Sequence, residues 1–114
     1  RATSTARAMS PIDPFGYYFD SLASSAHLAA GDYGRALELA NKSIAANDRH
    51  ISTLRTRIAA LHALDRGDDA RVAAQDLCRR FPNFQLSDYR STHPSVHSKT
   101  GRLVIQALRV AGIK

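Results

Sequence analysis

His93 and His97 stand four residues apart, the spacing that would bring two imidazoles to one helical face for a divalent metal. Pro94 lies between them and no third ligand is near in sequence, so solvated loop histidines are expected instead of a metal centre. Cys78 and His62 could form a thiol–imidazole pair, but Cys78 follows Leu77 on what reads as the inward stripe of its helix. A buried structural cysteine is the expectation. Asp68 and Asp69 are adjacent carboxylates, yet directly after Gly67 they read as cap and first-turn residues that favour the positive end of a helix. No nucleophile with its base, oxyanion donor set or glycine-rich phosphate loop accompanies them. The chain is therefore expected to be non-enzymatic, with no cofactor and no metal.

What must position these residues is a small module. The chain has 114 residues, 44% hydrophobic and 23% charged, with 7% aromatics, no Trp and many alanines. That composition favours helices packed through small residues over a β-sandwich. The apolar runs are only a few residues long, far short of the roughly 18 that a membrane helix needs, so no membrane insertion is expected. Arg1-Ala2-Thr3 at the start, with neither Met nor an apolar leader, leads us to expect a segment of a longer protein. One cysteine gives no internal disulfide, and a reducing, cytoplasmic setting is the simplest reading. Sixteen Lys and Arg against ten Asp and Glu give a net charge of +6. Its excess falls after residue 88, where Arg90, Lys99, Arg102, Arg109 and Lys114 meet no acid. This charge permits nucleic acid, anionic lipid or acidic protein as a partner.

Hydrophobic spacing gives the elements. Asp13-Pro14 opens a helix whose stripe reads Phe15, Phe19, Leu22, Ala26 and Ala30, and Gly31 stops it. Asp32 caps a second helix burying Tyr33, Ala36, Leu37, Ala40 and Ile44. A third runs from about Arg49 to Leu64 with Asp48 as cap and Ile51, Leu54, Ile58, Leu61 and Leu64 in phase. A fourth follows Gly67, shows Ala70, Ala73, Ala74, Leu77 and Phe81, and ends at Pro82. Phe84, Leu86 and Tyr89 suit only a short helix before Pro94. A last helix, from about Thr100 to Ala111, buries Leu103, Val104, Ala107 and Leu108, with Gly112 as its C-terminal cap.

The two central helix pairs repeat. Ala36 and Ala70, Ala40 and Ala74, and Asp48 and Pro82 are each 34 residues apart, the length of a tetratricopeptide repeat. Small alanines let antiparallel helices approach closely, and a turn residue at each end resets the chain. Asp20 stands where that repeat often has Trp, Asp65 where Gly is usual and Asp48 where Pro is usual. The expected fold is all-α: a tetratricopeptide-like right-handed superhelix of antiparallel helix pairs, about two repeats over residues 13–84. Residues 1–12, with Ala6-Arg7-Ala8-Met9-Ser10-Pro11, read as the end of a preceding repeat or a linker. Residues 85–114 read as a short helix, a loop and a C-terminal capping helix that covers the exposed face of the helix ending at Phe81.

Ser10-Pro11-Ile12-Asp13-Pro14, Ala30-Gly31-Asp32-Tyr33, the Arg66 to Arg71 turn, Arg79-Arg80-Phe81-Pro82-Asn83-Phe84 and Leu108-Arg109-Val110-Ala111-Gly112-Ile113 point further. Over residues 6–114 the chain resembles the C-terminal tetratricopeptide region of bacterial proteins that carry a class III adenylate or guanylate cyclase domain, or a winged-helix DNA-binding domain. The resemblance implies a regulatory or interaction role. Cyclase chemistry itself would need metal-binding aspartates and purine-recognition residues in a βαβ context, which this sequence lacks.

On that register the concave groove would be lined by Tyr18, Ser21, Ser25 and Leu28 from the first repeat and Ser52, Arg55, Ala59 and His62 from the second. This set is mixed and weakly basic, and it lacks the lysines and asparagine with which chaperone-binding relatives clamp a C-terminal carboxylate. The expected partner is a protein or peptide, or another domain of the same chain. The competing reading has this face merely packing against neighbouring repeats. Self-association into a homodimer is a further expectation, with Phe15, Tyr18 and the segment before Pro11 near the contact. Nucleic acid is the alternative, as a module of a winged-helix regulator, and is not the expected partner.

Overall fold

The computed structural model describes residues 16–87, 89 and 98–113. The opening at Asp13-Pro14, Phe15, the repeat remnant before Pro11, the His93/His97 pair and the segment around Pro94 lie outside the described residues. Those described form five helices and no strand: α1 (Gly16–Ala30), α2 (Tyr33–Ala46), α3 (Ile51–Ala63), α4 (Gly67–Arg80) and α5 (Lys99–Val110). The all-α expectation holds. The bounds of α4 are those of α2 displaced by 34 residues at both ends.

Local chemistry explains why the chain turns where it does. At the end of α1, Gly31 takes φ +86° while its N–H donates to the Leu28 carbonyl and that of Asp32 to the His27 carbonyl. The same pair of bonds closes α3, from Asp65 to His62 and from Arg66 to Leu61, and closes α5, from Gly112 to Arg109 and from Ile113 to Leu108. Each satisfies carbonyls that a helix end would otherwise orphan, through one residue in the left-handed region. Gly31 and Gly112 suit it, and Gly112 is the terminator the sequence predicts. Asp65 holds φ +62° with a side chain that disfavours it. Asp65→Gly is therefore expected to raise stability by about 0.5–1 kcal/mol, read as a higher denaturation midpoint in urea. An unchanged or lower midpoint would contradict the strain assigned to this turn.

The predicted alanines are the close contacts: Ala36, Ala40, Ala70 and Ala74 are all buried, joined by Leu54, Ile58, Leu61 and Leu77. Asp32 caps α2 as predicted, its carboxylate accepting from the Arg35 N–H at 3.4 Å. Asp48 does not cap α3. That helix starts at Ile51 behind His50, which makes no side-chain cap bond, and the Asp48 carboxylate pairs with Arg80 from the far end of α4. Leu64, predicted in phase with the third helix, sits at its C-terminal turn and is exposed.

Three further expectations are corrected. In α1 the buried face is Gly16, Asp20, Ser21, Ser24 and Leu28, while Phe19, Leu22, Ala26 and Ala30 point outward. The packed side is stitched by hydroxyls: Ser24 donates to the Ala36 carbonyl at 2.6 Å, and Thr53 donates to the Ser21 hydroxyl at 2.8 Å. Small polar residues allow the close approach, and bulky Phe19 and Leu22 are left outside. Next, α5 packs on the second repeat as predicted, but chiefly on its first helix, α3, with an edge on α1, and not on the helix that ends at Phe81. Of its predicted apolar stripe Val104, Ala107, Leu108 and Ala111 are buried and Leu103 only half-buried, with Arg102 and Arg109 in solvent. Finally, Cys78 is exposed. One residue past buried Leu77 it has rotated about 100° around the helix, onto the side of α4 that α5 leaves uncovered.

Candidate functional site

Helices α1 and α3 lie side by side and α5 crosses them. Between the three, Ser25, Leu28 and Ala29 from α1, Ser52, Arg55 and Thr56 from α3, and Thr100, Gly101 and Val104 from α5 enclose a cavity of about 290 Å³ with Ser98 and Tyr89. Four of the predicted groove residues, Ser25, Leu28, Ser52 and Arg55, meet there. The others are placed differently. Tyr18 is exposed at the N-terminal end of α1, its ring 6.3 Å from that of His50. Ser21 is buried behind Thr53, and Ala59 is fully buried. Leu28 lines the cavity but is itself core. His62 is half-buried near the end of α3 and does not line the cavity. The predicted open groove is thus, over much of its length, a face that the chain's own α5 covers. Sequence reasoning missed Tyr89 and Thr100 as lining residues, because only the tertiary packing of the chain beyond α4 brings them there.

The polar character of the cavity comes from Arg55. Its guanidinium lies over the Tyr89 ring, 4.5 Å from the centroid, a cation–π geometry. Burial holds this guanidinium below its ordinary range, while Tyr89, by charge and hydrogen bonding, works in the opposite direction. Arginine stays charged regardless. Among the described residues no Asp or Glu lines the cavity and none forms an ion pair with Arg55. The start of α5 is ordered by Ser98, whose hydroxyl accepts the Gly101 N–H at 2.9 Å.

Beside it runs a polar seam, in which the Thr53 hydroxyl lies 2.9 Å from His50 Nδ1 and donates to Ser21. Burial first, and then the charge of Arg55, hold His50 below the usual histidine range. Serine, threonine and histidine in a row suggest a relay, but Ser21 and Thr53 are buried, with no room for a substrate against them.

On the opposite side of α3, a second cavity of about 590 Å³ is bordered by Leu37, Asn41, Arg57, Arg66, Asp76 and Arg79, among others. Asp76 is its hub. The carboxylate accepts from Arg57 at 3.0 Å, from Arg80 at 3.0 Å and from Arg79, and Arg80 passes on to Asp48. Burial alone would push this carboxyl up, but hydrogen bonds from Arg80, Arg79 and Arg57 hold it below the ordinary carboxylate range. The network ties α4 to α3 and to the turn at Asp48. Asp68 and Asp69 are exposed first-turn residues, as predicted, but neither caps the helix, whose N-cap is Arg66; they pair instead with Arg71 and Arg66. Among the described residues no three metal-ligating side chains cluster. No helix among them is long and apolar enough to cross a membrane. Comparison with protein-family models, curated proteins and solved structures returned no match.

Proposed function

We propose that this chain is a non-catalytic protein-interaction module of tetratricopeptide type, serving as a regulatory part of a larger bacterial signalling protein of the cyclase kind, in the cytoplasm. Support for the repeat comes from helices of identical length 34 residues apart and from the equivalent left-handed turns at Gly31 and Asp65. The order of packing, α1 on α2, α2 on α3, α3 on α4 and α1 on α3, is that of stacked hairpins. The observation that carries the partner reading is the outward face of α1. Tyr18, Phe19 and Leu22 are 45%, 59% and 51% exposed on one helix, apolar area that a monomer rarely leaves to water without use. It faces outward at the N-terminal end of the stack, where a neighbouring repeat, a partner domain or a second copy of the chain would sit.

The test is calorimetric titration of this chain with the remainder of the parent protein. Binding is expected, and Phe19→Glu with Leu22→Glu is expected to weaken it by about tenfold or more, since placing two charges in an apolar contact costs more than 1.4 kcal/mol. Helix content should be retained, because both side chains are exposed. Absence of binding, or equal binding by the variant, would overturn the reading, as would cyclase turnover by this chain alone. Light scattering separates self-association from the other occupants. For the nucleic-acid alternative, Arg35, Arg57, Arg66, Arg71, Arg79 and Arg80 are each paired with a carboxylate, which leaves the exposed Lys99, Arg102 and Arg109 of α5 to carry it.

A further inference from the structure

We propose that the cavity between α1, α3 and α5 binds an oxyanion of the phosphate class, a free phosphate or a phosphate monoester, on Arg55. This inference stands on the cavity alone and does not depend on the partner reading. The lining supplies hydrogen-bond donors from three elements: the Arg55 guanidinium and Ser52 hydroxyl of α3, the Ser25 hydroxyl of α1 and the Thr100 hydroxyl of α5. The side-chain hydroxyls of Ser25, Ser52 and Thr100 make no hydrogen bond to the described residues, whereas that of Thr56 is already given to the Ser52 carbonyl. Among the described residues the sign of the charge is uniform: Arg55 has no carboxylate partner among them, no described acid lines the walls, and the first turn of α5 brings its positive end to the same space through Ser98, Thr100 and Gly101.

Shape and chemistry select the ligand class. A volume of about 290 Å³ admits a small anion and a short ester stem but not a nucleotide fully enclosed. Donors from three helices suit an anion with several acceptor oxygens pointing in different directions, as on a tetrahedral phosphate. Guanidinium also matches phosphate in two-pronged geometry, and Tyr89 beneath it holds that fork at a fixed tilt. The anion would in turn bridge α5 to α1 and α3, so occupancy and seating of the C-terminal helix are coupled.

The experiment follows backbone amide resonances of the chain during titration with sodium phosphate, against sodium chloride at matched ionic strength, and in parallel with phosphoserine. Saturable shifts at Ser52, Thr100 and Gly101 are expected with phosphate and not with chloride. Arg55→Gln should weaken binding by about tenfold, the loss of one charge-assisted hydrogen-bonded pair. Because Arg55→Gln also removes the contact with Tyr89, the double variant Ser25→Ala/Ser52→Ala, which leaves Arg55 and the apolar core in place, provides the second reading. It should weaken binding several-fold at unchanged helix content, since each neutral hydrogen bond contributes about 1 kcal/mol. Shifts with inorganic phosphate alone identify the free ion as the ligand, and shifts with both identify the ester as well. No saturable binding, or binding that both variants retain, overturns the proposal. Binding of phosphate by a chain that fails to bind the rest of its parent protein would leave this inference standing and remove the partner reading.

Discussion

Leu108→Ala is expected to destabilise the protein by about 2–5 kcal/mol, the range for removing a fully buried leucine and leaving a cavity. Leu108 is 0% exposed in the middle of the α5 stripe, in one core with Val104, Ala107, Ala111 and Ile113 and with Leu54 and Ile58 of α3. Its carbonyl also receives the Ile113 N–H at 3.0 Å, so the residue sits where the helix and its terminating turn are both fixed. Arg109→Ala, one position on and exposed, is expected to change stability by no more than about 0.5 kcal/mol. Urea denaturation of the two variants side by side checks this. An unchanged midpoint for Leu108→Ala would mean that α5 is not part of the cooperative fold and docks only loosely. The effect is large because Leu108 is fully buried in this shared core and α5 packs on both α3 and α1.

Asp76→Asn is the second large change, expected to cost about 1–3 kcal/mol at neutral pH. The Asp76 side chain is 18% exposed and that of Arg57, its partner, 19%, so the pair is largely out of solvent, unlike the outer member Arg79. Arg57 Nε is already buried without a hydrogen-bond partner among the described residues. An amide in place of the carboxylate leaves the guanidinium with no counter-charge either. The pH dependence has a definite sign. Because the folded-state carboxyl lies below its ordinary range, its contribution is present in full above the unfolded value of about 3.9 and is lost as pH falls through the folded value. The gap between wild type and Asp76→Asn should therefore be widest at pH 7 and close below about pH 4. Denaturation at pH 7 and at pH 3 measures it, and an equal gap at both would show that the effect is packing and not charge.

Both predictions rest on contacts between elements distant in sequence, and this divides what could be read in advance from what could not. The helices and their ends were legible because their causes are local. Asp32 supplies a capping carboxylate three residues before the amide it receives, Gly31 and Gly112 supply a left-handed residue, and the alanines at 34-residue spacing mark positions where helices come close. Part of the candidate site was legible for the same reason: Ser25 and Ser52 fall on predicted faces of α1 and α3, and Arg55 lies three residues beyond Ser52. Tyr89 and Thr100 were not, since nothing near them in the chain says which helix the C-terminal segment returns to.

The amino-acid sequence by itself determined that this is an all-helical chain with turns near residues 31, 65 and 112 and small residues at its close contacts. Backbone hydrogen-bonding, capping and left-handed turns depend on neighbours within four or five residues. Tertiary structure alone decided which face each helix buries and what covers it. Periodicity fixes the angle between residues of one helix but not its rotation against another, so the stripe of Phe19 and Leu22 and the alternative of Ser21, Ser24 and Leu28 were equally periodic. Close packing and the Ser24 and Thr53 hydrogen bonds chose the polar one. Asp48 likewise turned from capping α3 to pairing with Arg80, 32 residues away, and Cys78, one residue off the buried Ala70–Ala74–Leu77 stripe, stayed in solvent. Those outcomes depend on competition among contacts that exist only once the chain has folded, which no local pattern encodes.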